Sequence, residues 1–308
     1  MVTPLFINLN DHNMKIFQHF LLLCCLLFIV PAFAQNHGKV IEEQVMKSAV
    51  MKRNVRYSIY LPPDYDASQR TYPVVYLLHG YTDDNTGWLQ FGEINRYADK
   101  AIAEGTIPPM IIVMPNADSS WYINSYDGKE KYEDFFIKEF IPGIDKAYRT
   151  KANRTYRAVA GLSMGGYGSL IYAIKYPELF SAAASLSGAV FSDDQISGRD
   201  DDSYEAVFGQ LYGRGLKGND RLNAAWKSNS VLAIVQSKST EDLGKVRYWI
   251  DCGDDDGLSK GNCLLHIALA EKKVPHEFRV RDGNHNWTYW RTGLTDALAF
   301  IGDSFRQK

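Results

Sequence analysis

The run from Tyr156 to Tyr176 leaves this chain few folds to choose from. A short β-rich segment, Tyr156 to Ala160, passes at once into Gly161-Leu162-Ser163-Met164-Gly165. A helical stretch then continues to about Tyr176, where Pro177 closes it. A strand that turns so sharply into a helix forces its corner residue into strained dihedrals, where flanking side chains would collide. Gly161, Gly165 and Gly166 remove those collisions. As a bare string, G-x-S-x-G means little, since a chain of this length meets one by chance about one time in ten. Set between a strand and a helix, it marks Ser163 as a candidate nucleophile at the C-terminal edge of a parallel sheet. The competing reading, a phosphate cradle, lacks its signature: neither a Walker-A lysine nor a G-x-G-x-x-G occurs.

The rest of the chain keeps the same alternation. Pro73 to Leu78 and Met110 to Met114 are continuous apolar runs, expected of strands buried on both faces. Val55 to Leu61 alternates and reads as a half-exposed strand; Ser181 to Leu186, Val246 to Cys252 and Glu277 to Val280 complete the set. Helices are expected over Tyr132 to Tyr148, Leu264 to Ala270 and Leu294 to Phe305. Strand, crossover, strand, repeated in this way, predicts an α/β chain with a mostly parallel, doubly wound sheet between helical layers. Residues 190–245 break the rhythm and are expected to form an excursion, with Asp193-Asp194 and Asp200-Asp201-Asp202 as solvated loop surface.

The N-terminus reads as a leader. Phe20 to Val30 is an uncharged apolar run preceded by Lys15 and followed by Ala32-Phe33-Ala34, so residues 1–34 are expected to be a signal peptide cut after Ala34. Met14-Lys15 offers an alternative start. The run is too short for the ~20 residues of a spanning helix. The expectation is therefore an exported protein, periplasmic or extracellular, with one domain over 35–308 and no stable membrane insertion after cleavage. Cys24 and Cys25 leave with the leader, and Cys252 and Cys263 are expected to remain as buried free thiols. The formal net charge is −2, with 34 Lys+Arg against 36 Asp+Glu, which argues against a nucleic-acid partner.

A serine hydroxyl needs a base. His37 lies in the N-terminal tail, His266 falls among leucines in mid-helix, and His276 precedes the last strand at its wrong end. His285 follows that strand in a loop on the same sheet edge as Ser163, and is the expected base. The acid should follow a late strand. Asp254, Asp255 and Asp256 all qualify, and the spacing alone does not choose among them. A calcium loop starting in this run fails at its third or fifth ligand position. Oxyanion donors are expected from the N–H of Met164, just after the nucleophile, and of Tyr81, in the loop Leu78-His79-Gly80-Tyr81. His79 is then a structural histidine beside that hole. No metal or organic cofactor is called for.

With these residues assembled, the chain resembles the esterase branch of the α/β-hydrolases: esterase D, the feruloyl and acetylxylan esterases of carbohydrate esterase family one, and the mycolyltransferases. The matching stretches are YPVVYLLHGYTDDNTGW, Trp121-Tyr122, GLSMGGYGSL, DCGDDD and GNHNWTYW. The resemblance implies an α/β-hydrolase fold, a three-layer sandwich whose acid is Asp256, with His285 as base, and a site left open or lightly covered. It further implies a serine carboxylic-ester hydrolase working through an acyl-enzyme, with an acetyl or feruloyl ester of a plant cell-wall glycan, or a small acyl ester, as substrate. Trp88, Trp121, Tyr122 and Trp287 are the candidates to stack on a sugar or a phenolic acyl group; each also suits the core. The alternatives are a thioesterase like S-formylglutathione hydrolase, an acyltransferase of the mycolyltransferase type, and a non-catalytic glycan-binding module.

Overall fold

A computed structural model describes residues 37–306. The expected leader over 1–34, its cleavage after Ala34, and Cys24 and Cys25 lie outside the described residues. Eight strands form one sheet: β1 (Lys39–Lys47), β2 (Asn54–Leu61), β3 (Val74–Leu78), β4 (Ile111–Pro115), β5 (Arg157–Leu162), β6 (Ala182–Leu186), β7 (Arg247–Gly253) and β8 (His276–Arg281). Their spatial order is β1-β2-β4-β3-β5-β6-β7-β8. β1 and β2 are antiparallel to their neighbours, while β4, β3 and β5 to β8 run parallel. The crossover order puts β3 and β5 at the centre, so their C-terminal ends face the same rim.

Strand alternation divides the core into two layers. On β3, Val74, Tyr76 and Leu78 face the cluster that holds Phe136, Leu170 and Ile171. Val75 and Leu77 face the other, beside Ile94, Ala98, Leu294 and Leu298. Helices Met164–Lys175 and Ser259–Glu271 contribute to the first layer, and Ile94–Ala103 and Trp287–Phe305 to the second. The helix expected over Tyr132 to Tyr148 carries a π-turn at Phe136–Phe140, where Phe136 stacks on Tyr172 at 4.5 Å.

The structure corrects several sequence expectations. β1 had no counterpart, because KVIEEQVMK carries four charges and lacks clean alternation; it is an exposed edge strand with a bulge between Ile41 and Gln44. β2 is more buried than its alternation implied, since both its faces are covered, with Ile59 in the first core layer and Tyr60 in the second. The acidic runs in 190–245 are exposed as expected, but they stand at helix starts and not in loops. Asp193 and Asp194 open the helix Asp193–Ser197, and Asp200 caps Asp201–Val207 through the Ser203 N–H. Carboxylates there meet the positive end of the helix dipole. Asp193 also accepts from the Trp226 indole at 2.7 Å, and Asp201 pairs with the buried Arg221. Cys252 is buried as expected, but Cys263 is only partly so; both are free. No described helix is long and apolar enough to cross a membrane.

Candidate active site

Ser163 stands between β5 and the helix Met164–Lys175 with φ 53° and ψ −116°. A non-glycine residue there is strained, and the surroundings enforce it. A Cβ built on Gly161 would lie 2.5 Å from Gly165 and 2.8 Å from the Leu78 carbonyl. One on Gly165 would fall inside contact distance of the Leu78 and His79 carbonyls. The corner is therefore jammed against the β3 loop, which is why both flanking positions are glycine. The Ser163 N–H is taken by the Leu186 carbonyl at 2.9 Å, and the Ser163 carbonyl accepts from Ala189, so the end of β6 fixes the turn from the side.

The two other expected groups arrive from the ends of β7 and β8. Ser163 Oγ lies 2.9 Å from His285 Nε2, and His285 Nδ1 lies 2.8 Å from Asp256 Oδ2. With Nδ1 donating to the carboxylate, Nε2 is left as the acceptor for the serine proton. Of the three aspartates that the sequence left open, the structure brings Asp256 to His285. It is buried, whereas Asp254 and Asp255 are exposed. Asp254 instead accepts the Gly283 N–H and so ties the acid loop to the histidine loop. Asp254, Asp255 and Asp282 form an exposed acidic trio beside this loop. Burial pushes the Asp256 carboxyl up, but hydrogen bonds from His285, the Leu258 N–H and Ser187 outweigh it and hold the carboxyl below its ordinary value.

The loop Leu78-His79-Gly80-Tyr81 lies directly against the nucleophile: a Cβ on Gly80 would be 3.7 Å from Ser163 Cβ. Among the described residues, neither the Tyr81 nor the Met164 N–H has a protein acceptor. Two free amides beside a serine hydroxyl are what a developing oxyanion requires. His79 holds this loop in place. Its Nδ1 donates to the Gly80 carbonyl at 2.8 Å, and its Nε2 accepts from the Ala117 N–H at 2.9 Å. Both ring nitrogens are thus committed to backbone, and burial keeps the imidazole neutral by lowering its pKa.

The four aromatics divide. Trp88 is fully buried and donates its indole N–H to the Leu78 carbonyl at 2.9 Å. Tyr122 is fully buried and donates to the His79 carbonyl at 2.9 Å. Both therefore support the oxyanion loop from behind and have no face to offer a substrate, contrary to the expectation from their proximity. Trp121 forms a wall beside Tyr81, with ring centroids 6.1 Å apart, and packs on Phe208 and Phe191 from the 190–245 excursion. Trp287 is partly exposed, between Phe91, Trp88 and Trp290.

Two residues near the acid had no sequence signal. Ser187, just past β6, adopts φ 47°, and its hydroxyl is among the groups that hold the Asp256 carboxyl below its ordinary value. Trp290 donates its indole N–H to Ser187 Oγ at 3.0 Å and sets its ring edge-on to His285 at 4.9 Å. The only hint of Ser187 in the sequence is its place after a strand, which says where its backbone goes and not where its hydroxyl points. His266 and His276, read as packing and as misplaced, are hydrogen-bonded to each other at 2.7 Å, away from this site.

Comparison with known proteins identifies the family. The family model described as "Putative esterase" matches residues 48–301. An esterase of Mycobacterium tuberculosis is 41% identical over 250 residues, 75% of this chain and 52% of its own length. An endo-1,4-beta-xylanase/feruloyl esterase of Xylanibacter ruminicola is 34% identical over 168 residues, 52% of this chain and 23% of its own length. This chain thus spans about half or less of these two relatives. A solved ferulic acid esterase superposes with a TM-score of 0.75 at 33% identity, covering 87% of this chain and 99% of that one. On the basis of this family match and this superposition, the chain belongs to that esterase family and has the α/β-hydrolase fold.

Proposed function

We propose that the protein is an exported serine carboxylic-ester hydrolase that removes acetyl or feruloyl groups from glycan esters through an acyl-enzyme. The observation that carries this reading is the hydrogen-bonded series from Ser163 Oγ through His285 to Asp256, beside two unpaired amide N–H groups. In the first half-reaction Ser163 Oγ bonds to the ester carbonyl carbon while its proton passes to His285 Nε2. The carbonyl oxygen becomes an oxyanion between the N–H groups of Tyr81 and Met164. Collapse breaks the bond to the alcohol, which leaves with the proton from His285. Water then attacks the acyl-serine, again giving its proton to His285, and the free acid departs with Ser163 restored. Asp256 orients His285 and stabilises the imidazolium in both halves.

The names of the xylanase/feruloyl esterase relative and of the superposed ferulic acid esterase support an acyl group on a plant glycan. Signal-like residues before Ala34 support export. A fluorophosphonate probe should label wild type and leave Ser163→Ala unlabelled. The same variant should lose at least about 10³-fold in kcat on 4-nitrophenyl acetate. A panel of acetyl, butyryl and feruloyl esters with S-formylglutathione, ranked by kcat/KM, tests the substrate. A ranking led by the thioester would replace the glycan reading. Acyl transfer to added xylo-oligosaccharide that outruns acid release would make the protein a transferase.

A further inference from the structure

A cavity of about 480 Å³ opens among Tyr126, Asp127, Lys129, Gly209, Gln210 and Arg214. Its walls come from the segment after β4 and from the excursion after β6, both leaving the C-terminal ends of parallel strands, as Ser163 does. The Tyr126 N–H donates to the Gln210 carbonyl at 2.9 Å and locks the two segments together. Phe208, next to Gly209, packs on Trp121 at 5.1 Å, and Trp121 meets Tyr81. Buried packing thus runs from the residue beside the cavity wall to the oxyanion loop.

The lining has a definite chemistry. Tyr126 is 61% exposed, one of the most exposed large apolar residues described. A tight turn presents it: the Gly128 N–H bonds the Ser125 carbonyl at 3.0 Å, while Asp127 accepts from Ser125 Oγ at 2.7 Å and from the Lys129 N–H at 3.1 Å. The charges around the ring are compensated, with Lys129 on Asp127 at 3.1 Å and Arg214 on Glu205 at 2.6 Å. Both cations of the lining are thus ion-paired. A rigid aromatic face ringed by neutralised donors and acceptors matches a pyranose, which offers a C–H face to the ring and hydroxyls to the rim. The volume suits a short oligosaccharide rather than one acyl group.

We propose that this cavity is a subsite for the neutral sugar chain of the substrate, with Tyr126 as its stacking platform. The proposal rests on the glycan-ester reading above and extends it from the bond cleaved to the polymer held. Two measurements separate it from that reading. In the first, kcat/KM is measured on methyl ferulate and on a feruloylated arabinoxylan oligosaccharide. Tyr126→Ala should lose about 5- to 10-fold on the oligosaccharide, through KM, and nothing on methyl ferulate, while Tyr126→Phe keeps wild-type values. In the second, unacylated xylohexaose, cellohexaose and mannohexaose are titrated by calorimetry. Wild type should bind at least one of them, and Tyr126→Ala should weaken it by a similar factor. Equal losses on both esters, no loss on either, or no binding of any hexaose by wild type would overturn the subsite. Failure of wild type to hydrolyse either ester would sink the feruloyl reading instead, leaving the binding titration to judge the cavity.

Discussion

Ser187 shows how much of a reactive arrangement resides in residues that never meet the substrate. Its hydroxyl accepts the Trp290 indole N–H and helps hold the Asp256 carboxyl below its ordinary value. Ser187→Ala removes a hydroxyl that favours the ionised carboxylate and should lower kcat about tenfold with KM unchanged. A measured loss in KM alone would assign Ser187 to substrate binding. Because the Asp256 carboxyl is held below its ordinary value, its ionised form favours folding. That contribution is complete above the unfolded carboxylate range near pH 3.9 and fades as pH falls through the depressed native value. Gly165→Ala should cost about 3 kcal/mol or more by denaturant unfolding, because the colliding atoms are backbone carbonyls and cannot swing away. At this scale the sequence was generous for Ser163 and His285, whose roles follow from chain order and strand ends. Asp256 needed the resemblance to be singled out from its neighbours. Trp88 and Tyr122 misled, because nearness to a site along the chain does not say which way an aromatic ring faces.

Elements explain why these residues hold position. Arg281, at the end of β8, grips the buried Asp251 of β7 through both Nε and Nη2, and Tyr289 donates to the same carboxylate from the last helix. The loop bearing His285 is strung between Arg281 and Tyr289, so this ion pair sets its anchor points. Arg281→Met leaves a buried carboxylate without its cation and should destabilise by about 3 kcal/mol; a chemical melt that moves by less than 1 kcal/mol would refute this. Strands buried on both faces were readable because their runs of Val, Ile, Leu and Met admit no other placement. β1 was not, since an outer strand with one wet face can carry lysines and glutamates like any loop. The capping aspartates of the excursion were misread for a related reason: carboxylates at helix starts and carboxylates in coil have the same composition.

On the scale of the whole molecule, imidazoles whose pKa is lowered in the fold tie folding to pH. Burial lowers the pKa of His79, and burial together with the neighbouring His276 lowers that of His266. The unfolded chain therefore takes up protons first as pH falls, and stability that is complete above about pH 6.5 is lost below it. Tm should drop between pH 7 and pH 5. His79→Gln should start from a lower Tm at pH 7 but show a shallower slope; an unchanged slope would remove His79 from this account.

The sheet order has one more consequence. β8 is an outer strand, with Val280 52% exposed and a ladder of main-chain groups facing outward. Its outward row is guarded by the paired Glu277 and Arg279, whose desolvation makes joining to another ribbon unfavourable. Swapping both for threonine would turn this border into a seam, along which separate molecules could knit into one continuous sheet.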